Sequence, residues 1–181
     1  MRYILASSSP RRVELVKLLG IEFEPISPNV DEKIDYTLRI EDAVMDLAKQ
    51  KVEAIESHGD DWVLGCDTVV EINGKILGKP LNEDDAYHML KKLTGKTHRV
   101  ITGCAIKHQD NINTFYGEAY VVFSSMNDQE IHAYIKTQEP FGKAGSYAIQ
   151  GYAAKHIEKI DGDYYSVMGL PISQVYKMLK D

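Results

Sequence analysis

Apolar residues recur along the chain with two periods, and the periods divide it into short strands and amphipathic helices. The apolar run at 3–6 reads as a first strand. Ser7-Ser8-Ser9 and Pro10 follow, a serine cap with proline at the first helical position. Val13, Leu15, Val16, Leu18 and Leu19 give that helix a wide apolar face, which ends at Gly20. Residues 21–27 read as extended, but Pro25 and Pro28 limit how far they can run inside a central sheet. A long helix is predicted over 40–55, with Val44, Leu47, Ala48, Val52 and Ile55 on its inner side. Lys51 falls on that same side, seven residues after Val44, an unusual place for a lysine.

Residues 62–72 form a buried type of strand interrupted by Asp67, and Asn73-Gly74 is a strong hairpin signal returning through 75–77 to Gly78-Lys79-Pro80. Asn82 caps a helix with Ala86, Met89, Leu90 and Leu93 at helical spacing and three acids in its first turn. Two strands, about 99–107 and 114–123, flank the turn-rich Gln109-Asp110-Asn111. Asn127 and Glu130 have the spacing of a capping pair for a short helix carrying Ile131, Tyr134 and Ile135. After a glycine-punctuated stretch at 142–151, a last hairpin is expected to turn at Asp161-Gly162. A final helix opens at Pro171 with Ile172, Val175, Tyr176 and Leu179 toward the core. Hairpins interleaved with helices indicate an α/β fold, a mixed twisted sheet flanked by helices.

With 181 residues the chain can bury a sizeable core as one domain over 1–181, or as two lobes around a central cleft. Hydrophobic residues make up 44% and charged residues 27%, as in an ordinary globular protein. No apolar run approaches the roughly 20 residues of a membrane span, and the N-terminal apolar stretch is too short for a signal peptide. A cytoplasmic location and no membrane partner are therefore expected. Cys66 and Cys104 lack CxxC spacing and read as buried free thiols rather than a disulfide framework. The six histidines never fall at a metal-ligand spacing, which argues against structural zinc. A net charge of −6 argues against a nucleic-acid surface, although a small polyanion needs only a few well-placed cations.

Five places could carry chemistry. Arg11 and Arg12 stand at the start of a helix, where the dipole disfavours cations, so either an anion offsets the repulsion or both are solvated on a surface helix. Asp67 inside an apolar strand costs several kcal/mol, on the order of an unpaired buried polar group, unless cations or donors satisfy it. Its two readings are a catalytic or metal-binding carboxylate and a local cap at a bulge. Lys51 is either a buried ammonium with a partner or a lysine whose stem packs while its amine reaches water. Lys79, between glycine and proline, is a surface turn or a cation for the same ligand. Gln150 beside Gly151 either reads a base edge, since an amide donates and accepts, or ends a strand at the surface.

Taken in order, the motifs are more specific than any one of them. Ser7-x-Ser9-Pro10-Arg11-Arg12, Asp31-Glu32, Lys51, Gly65-x-Asp67-Thr68-Val69-Val70, Gly78-Lys79-Pro80, Lys143-Ala144-Gly145-x-Tyr147-x-Ile149-Gln150-Gly151 and Gly169-Leu170-Pro171 resemble the Maf family over nearly the whole chain. The resemblance implies a fold similar to that of the inosine triphosphate pyrophosphatases. It implies hydrolysis of a nucleoside triphosphate to the monophosphate and pyrophosphate, in nucleotide-pool housecleaning. Thr68 after the aspartate and Gln150 before the glycine resemble the subgroup acting on dTTP and UTP rather than 7-methyl-GTP. By the same resemblance, Asp67 is the active-site residue, and Arg11, Thr68 and Gln150 govern substrate choice. Ser7, Ser9, Arg12, Lys51 and Lys79 face the phosphates. A divalent cation, Mg²⁺ or Mn²⁺, is expected on Asp67, with Glu32 as second carboxylate, and similar proteins are commonly homodimers. Gly142, Tyr152-Ala153-Ala154 and Ser166-Val167-Met168 depart from the family pattern and bear on substrate preference. The reading from a different class is a nucleotide-binding regulator of cell division that does not hydrolyse its ligand.

Overall fold

In the computed structural model, which describes residues 1–180, the chain alternates strands and helices. Asp181, the last residue of the domain expected over 1–181, lies outside the described residues. The elements in order are β1 (Tyr3–Ala6), α1 (Pro10–Val16), β2 (Glu24–Ile26), α2 (Ile40–Glu53), β3 (Trp62–Ile72), β4 (Lys75–Leu77), α3 (Glu83–Leu93) and β5 (Thr97–His108). They continue with β6 (Asn111–Phe123), α4 (Asp128–Ile135), β7 (Ile157–Gly162), α5 (Tyr164–Met168) and α6 (Ile172–Met178). Seven strands form one sheet in the order β2-β1-β3-β5-β6-β7, with β4 paired to β3. The sheet is mixed: β1 runs parallel to β2 and β3, whereas β4 and β7 run antiparallel to β3 and β6. Among the described residues no helix is long and apolar enough to cross a membrane.

Residue contacts group into two compact units. The first comprises Met1–Thr68, Thr102–Gly117 and the segment from Gly169; the second comprises Val69–Ile101 and Glu118–Met168. In the first unit, Ile4, Ala6, Val63 and Ala105 of the strands pack on Ala48 and Val52 of α2, with Ile55 just beyond it. The helix lies unusually close to the sheet because two strand positions opposite it are glycine. A Cβ at Gly103 would stand 2.4 Å from the Val44 carbonyl carbon and oxygen, and one at Gly65 would stand 2.8 Å from the Ala48 carbonyl oxygen. The proline-bearing β2 is an edge strand of three residues, as Pro25 requires.

The second unit has its own core, in which Ala86, Leu90 and Leu93 of α3 and Ile131, Tyr134 and Ile135 of α4 meet Val70, Val100, Val121 and Phe123 of the strands. Asn82 caps α3 by accepting the Asp85 N–H at 2.8 Å, and Asn127 with Glu130 forms a reciprocal capping box on α4. His98 is buried in this core, its Nε2 2.7 Å from the Tyr147 hydroxyl and its Nδ1 without a partner among the described residues. Burial pushes its pKa down to about 4. The unfolded chain, with an ordinary histidine near 6.5, therefore takes up a proton that the folded one refuses until about pH 4. Stability is expected to fall by about 3 kcal/mol as pH drops through that window and then level off. Denaturant titrations at pH 7 and pH 4 should show this component in the native sequence and not in His98→Gln.

Four local expectations need correction. Leu18 and Tyr176 are exposed rather than core-facing, because α1 tightens into a 3₁₀ turn at Lys17–Leu19 and α6 turns its buried side to Val175. Ser9 occupies the cap position of α1 without a side-chain bond; the Ser7 hydroxyl instead accepts the Ser9 N–H at 3.1 Å. No hairpin turns at Asp161-Gly162. Those residues end β7, and Asp163 immediately caps α5 by accepting the Ser166 N–H and hydroxyl. A turn signal before a helix-capping aspartate serves a strand-to-helix junction.

Candidate functional site

Asp67 lies near the end of the part of β3 that belongs to the first unit, in a strand whose other residues are mostly buried and apolar. Its carboxylate is satisfied by Lys51, whose Nζ lies 2.5 Å from Asp67 Oδ1. The lysine comes from the inner face of α2, one turn after Ala48 and Leu47, and is 6% exposed. An ammonium so buried is costly unless every proton is bonded. Here all three directions are used: Asp67 Oδ1, the Cys66 carbonyl oxygen at 3.3 Å, and Glu32 Oε2 at 3.1 Å. Lys51 is therefore a buried, paired cation rather than a lysine reaching for water, and it gathers Asp67 and Glu32 at one point. The close seat of α2 against Gly65 and Gly103 brings the lysine within reach. Glu32 belongs to the preceding loop and is the most exposed of the three partners.

A second set adjoins the strand at Thr68. Arg12 donates from Nε to the Gly169 carbonyl oxygen at 2.8 Å and from Nη2 to Thr68 Oγ1 at 2.9 Å. Thr68 Oγ1 also lies 2.8 Å from the hydroxyl of Thr102, a fully buried residue of β5. Ser7 is buried and Ser9 half-buried at the turn from β1 into α1, and Arg11 is half-buried beside them. The structure thus brings Arg12 to Thr68 and ties both to the segment that opens α6. Cys66 and Cys104 are buried thiols that form no disulfide, with their sulfurs 3.0 Å apart. Burial pushes the Cys66 thiol up, but its bond with Cys104 and the positive fields of Arg12 and Lys51 outweigh this and lower it overall.

Lys79 and Gln150 belong to the second unit. Lys79 is exposed between Gly78 and the buried Pro80, and the Gly78 carbonyl accepts the Gly145 N–H at 3.0 Å. That bond ties the Lys79 loop to the segment that ends in Gln150, whose side chain is exposed. Sequence reasoning does not single out Thr102, Gly169 or Cys104 for chemistry. Threonine in a strand satisfies β-propensity whatever its hydroxyl does, and nothing in the local pattern signals which buried hydroxyl meets another. Gly169 is part of a motif, but its role as acceptor for an arginine from position 12 is visible only in three dimensions.

Among the described residues no group of three or more His, Cys, Asp or Glu is gathered to hold a metal ion. The two carboxylates that converge on Lys51 fit a hard divalent cation only if phosphate oxygens and water complete its shell. What the arrangement can do follows from its charges: a carboxylate held by a buried ammonium, with an arginine bonded to the next strand residue, suits a site where a proton is taken up beside a polyanion.

Curated relatives carry the name dTTP/UTP pyrophosphatase. The chain is 48% identical to the dTTP/UTP pyrophosphatase of Caldicellulosiruptor bescii, covering 99% of this chain and 94% of that one. It is 49% identical to the dTTP/UTP pyrophosphatase of a Bacillus cereus strain, with the same coverages. Among solved structures, the Ham1 protein of Staphylococcus aureus superposes with a TM-score of 0.56 at 13% identity, covering 99% of this chain and 98% of that one. A HAM1 protein from Coxiella burnetii gives 0.52 at 13%, with the same coverages. Those two likenesses concern the fold alone, and they agree with the architecture expected from the sequence. The sequence model for the Maf-like protein matches residues 2–181, and with relatives near half identity over almost the entire length, the chain belongs to the Maf family.

Proposed function

We propose that the protein hydrolyses dTTP and UTP to the nucleoside monophosphate and pyrophosphate, removing these or modified pyrimidine triphosphates from the nucleotide pool. The observation that carries this reading is the Asp67 carboxylate held at 2.5 Å by a buried lysine beside the Arg12–Thr68 pair. A protein that only senses triphosphates needs the cations but not the carboxylate, so the regulator reading is not favoured.

In the reaction a water oxygen bonds to the α-phosphorus, the bond from that phosphorus to the bridging oxygen breaks, and pyrophosphate leaves. Lys51 engages Asp67 through Oδ1, so Oδ2 is the oxygen that receives the water proton. Arg11, Arg12 and the Ser7 and Ser9 hydroxyls supply donors to the phosphate oxygens, and Lys79 adds a further cation. Lys51 gains a phosphate oxygen most readily by exchanging Glu32, because that partner is the most exposed of its three. Asp67 and Glu32 are the residues that would hold Mg²⁺ or Mn²⁺, which when bound polarises the phosphoryl oxygens and offsets their charge. Gln150, with Thr68, reads the acceptor-donor-acceptor edge shared by thymine and uracil, the amide matching one acceptor and the adjacent donor.

The test is to incubate the protein with the four deoxynucleoside triphosphates and UTP in Mg²⁺, assaying pyrophosphate and monophosphate. Equimolar pyrophosphate and monophosphate from dTTP and UTP is the expected result; orthophosphate with a diphosphate, or no turnover, overturns it. Gln150→Glu should lower the use of dTTP and UTP relative to the purine triphosphates by about tenfold, the effect of losing one good hydrogen bond. An unchanged ratio would remove Gln150 from base recognition.

A further inference from the structure

We infer that Glu139 is a positioning residue for base selection: its carboxylate fixes, from beneath, the tight turn that presents Gln150. The inference rests on the reading of Gln150 given above. Glu139 follows α4 and carries no role in the chemistry of the phosphates. Its two oxygens accept three bonds: the Tyr134 hydroxyl to Oε1 at 2.7 Å, the Ala153 N–H to Oε1 at 3.3 Å, and the Tyr152 N–H to Oε2 at 2.9 Å. The Tyr134 oxygen in turn accepts the Ala148 N–H at 3.2 Å. Backbone donors on both sides of Gln150 are therefore held by one phenol–carboxylate pair. Between them the Gly151 N–H bonds to the Ala148 carbonyl at 3.2 Å, closing a four-residue turn in which Gln150 occupies the third position.

The packing around Gly151 serves the same end. A Cβ at that position would stand 1.9 Å from Glu139 Oε2 and 2.3 Å from its carboxyl carbon. The chain forgoes a side chain next to Gln150, and the carboxylate fills the space. Glu139 is itself anchored: its N–H bonds to the Thr137 hydroxyl at 3.2 Å, and its carbonyl accepts the Lys143 ammonium at 2.7 Å. Tyr134 is 2% exposed, and burial together with its bond to Glu139 pushes the phenol well above the usual tyrosine range, so it remains the donor of that pair. A flexible amide loses orientation entropy when it binds a base edge. A turn held at both ends reduces that loss, and the reduction appears only with bases whose edge the amide matches.

Glu139→Gln keeps the shape and replaces one acceptor oxygen by an amide nitrogen that cannot accept a backbone N–H. With the full-length protein, Mg²⁺, and dTTP, UTP, dATP and dGTP as probes, KM for dTTP and UTP should rise about tenfold with kcat changed less than about threefold. The ratio of pyrimidine to purine kcat/KM should fall by the same factor. Gly151→Ala, which expels the carboxylate from the other side, should act in the same direction. In the Gln150→Glu background, Glu139→Gln should lower the ratio no further. Equal proportional losses on all four substrates, or a lowered melting temperature with the ratio intact, would reduce Glu139 to a structural role and overturn the inference. Should Glu139→Gln fail to fold, Tyr134→Phe removes only the hydroxyl from the network, and an unchanged ratio there overturns it equally. If Gln150→Glu alone leaves the ratio unchanged, the base-reading role fails first and the positioning role falls with it. If Gln150→Glu shifts the ratio and Glu139→Gln does not, only the positioning role fails.

Discussion

Asp67→Asn is expected to lower pyrophosphate release by roughly a thousandfold or more, within the range seen when a general base is removed, while the protein stays folded. The substitution is isosteric. Its amide oxygen can still accept the Lys51 ammonium that lies 2.5 Å from Oδ1, and Lys51 keeps Glu32 and the Cys66 carbonyl as its other partners. The buried ammonium is therefore not stranded, and the melting temperature should shift by only a few degrees. What is lost is the negative charge and the oxygen that takes up the water proton. Initial rates with dTTP, paired with a thermal melt of the same preparation, separate the two effects. Turnover near the native rate would show that some other group activates the water, and the assignment of Asp67 would be abandoned.

The largest loss of stability is expected from Gly103→Ala. The added methyl would meet the Val44 carbonyl carbon and oxygen at 2.4 Å and the Met45 nitrogen at 2.6 Å, all backbone atoms of α2 that cannot swing aside. Overpacking against a side chain costs about 1–3 kcal/mol, and contact with helix backbone should reach the upper end, about 3 kcal/mol. For a chain of this size that corresponds to a fall in melting temperature of roughly 6–12 °C. Relief requires α2 to move away from β5, which carries Lys51 away from Asp67, so activity should fall along with stability. Gly59→Ala is the control, because a Cβ there meets nothing within 4 Å; it should change neither quantity appreciably. A Gly103→Ala protein as stable and active as the native one would mean that α2 does not depend on that close approach to hold the lysine.

Both expectations depend on contacts that the sequence announces unevenly. Lys51 is conspicuous because a cation falls on the apolar face of a long helix, and Asp67 because an acid interrupts an apolar strand. Each anomaly is readable alone, since period and polarity are local properties. Their pairing is not, because a loop and the first part of a strand intervene and no local rule states which buried charge meets which. The same contrast runs through the fold. The Asn73-Gly74 turn and the Asn82 and Asn127 caps form as expected, because turn and cap chemistry involves neighbours within a few residues. Asp161-Gly162 misleads for the opposite reason: the dipeptide permits a hairpin but cannot specify one, and the capping of α5 by Asp163 decides the outcome.

By itself the sequence determined the strand and helix order up to the junction of β7 with α5, the mixed α/β class, most of the apolar faces and the set of ionisable residues that local physics could not leave unpartnered. The motif order determined the family. Only the tertiary structure decided that one ammonium holds both Asp67 and Glu32, that Arg12 reaches Thr68 and the Gly169 carbonyl, and that Glu139 lies under the turn bearing Gln150. These are contacts between segments far apart along the chain, and their energies depend on distances that exist only after strands have registered and glycines have let a helix approach its sheet.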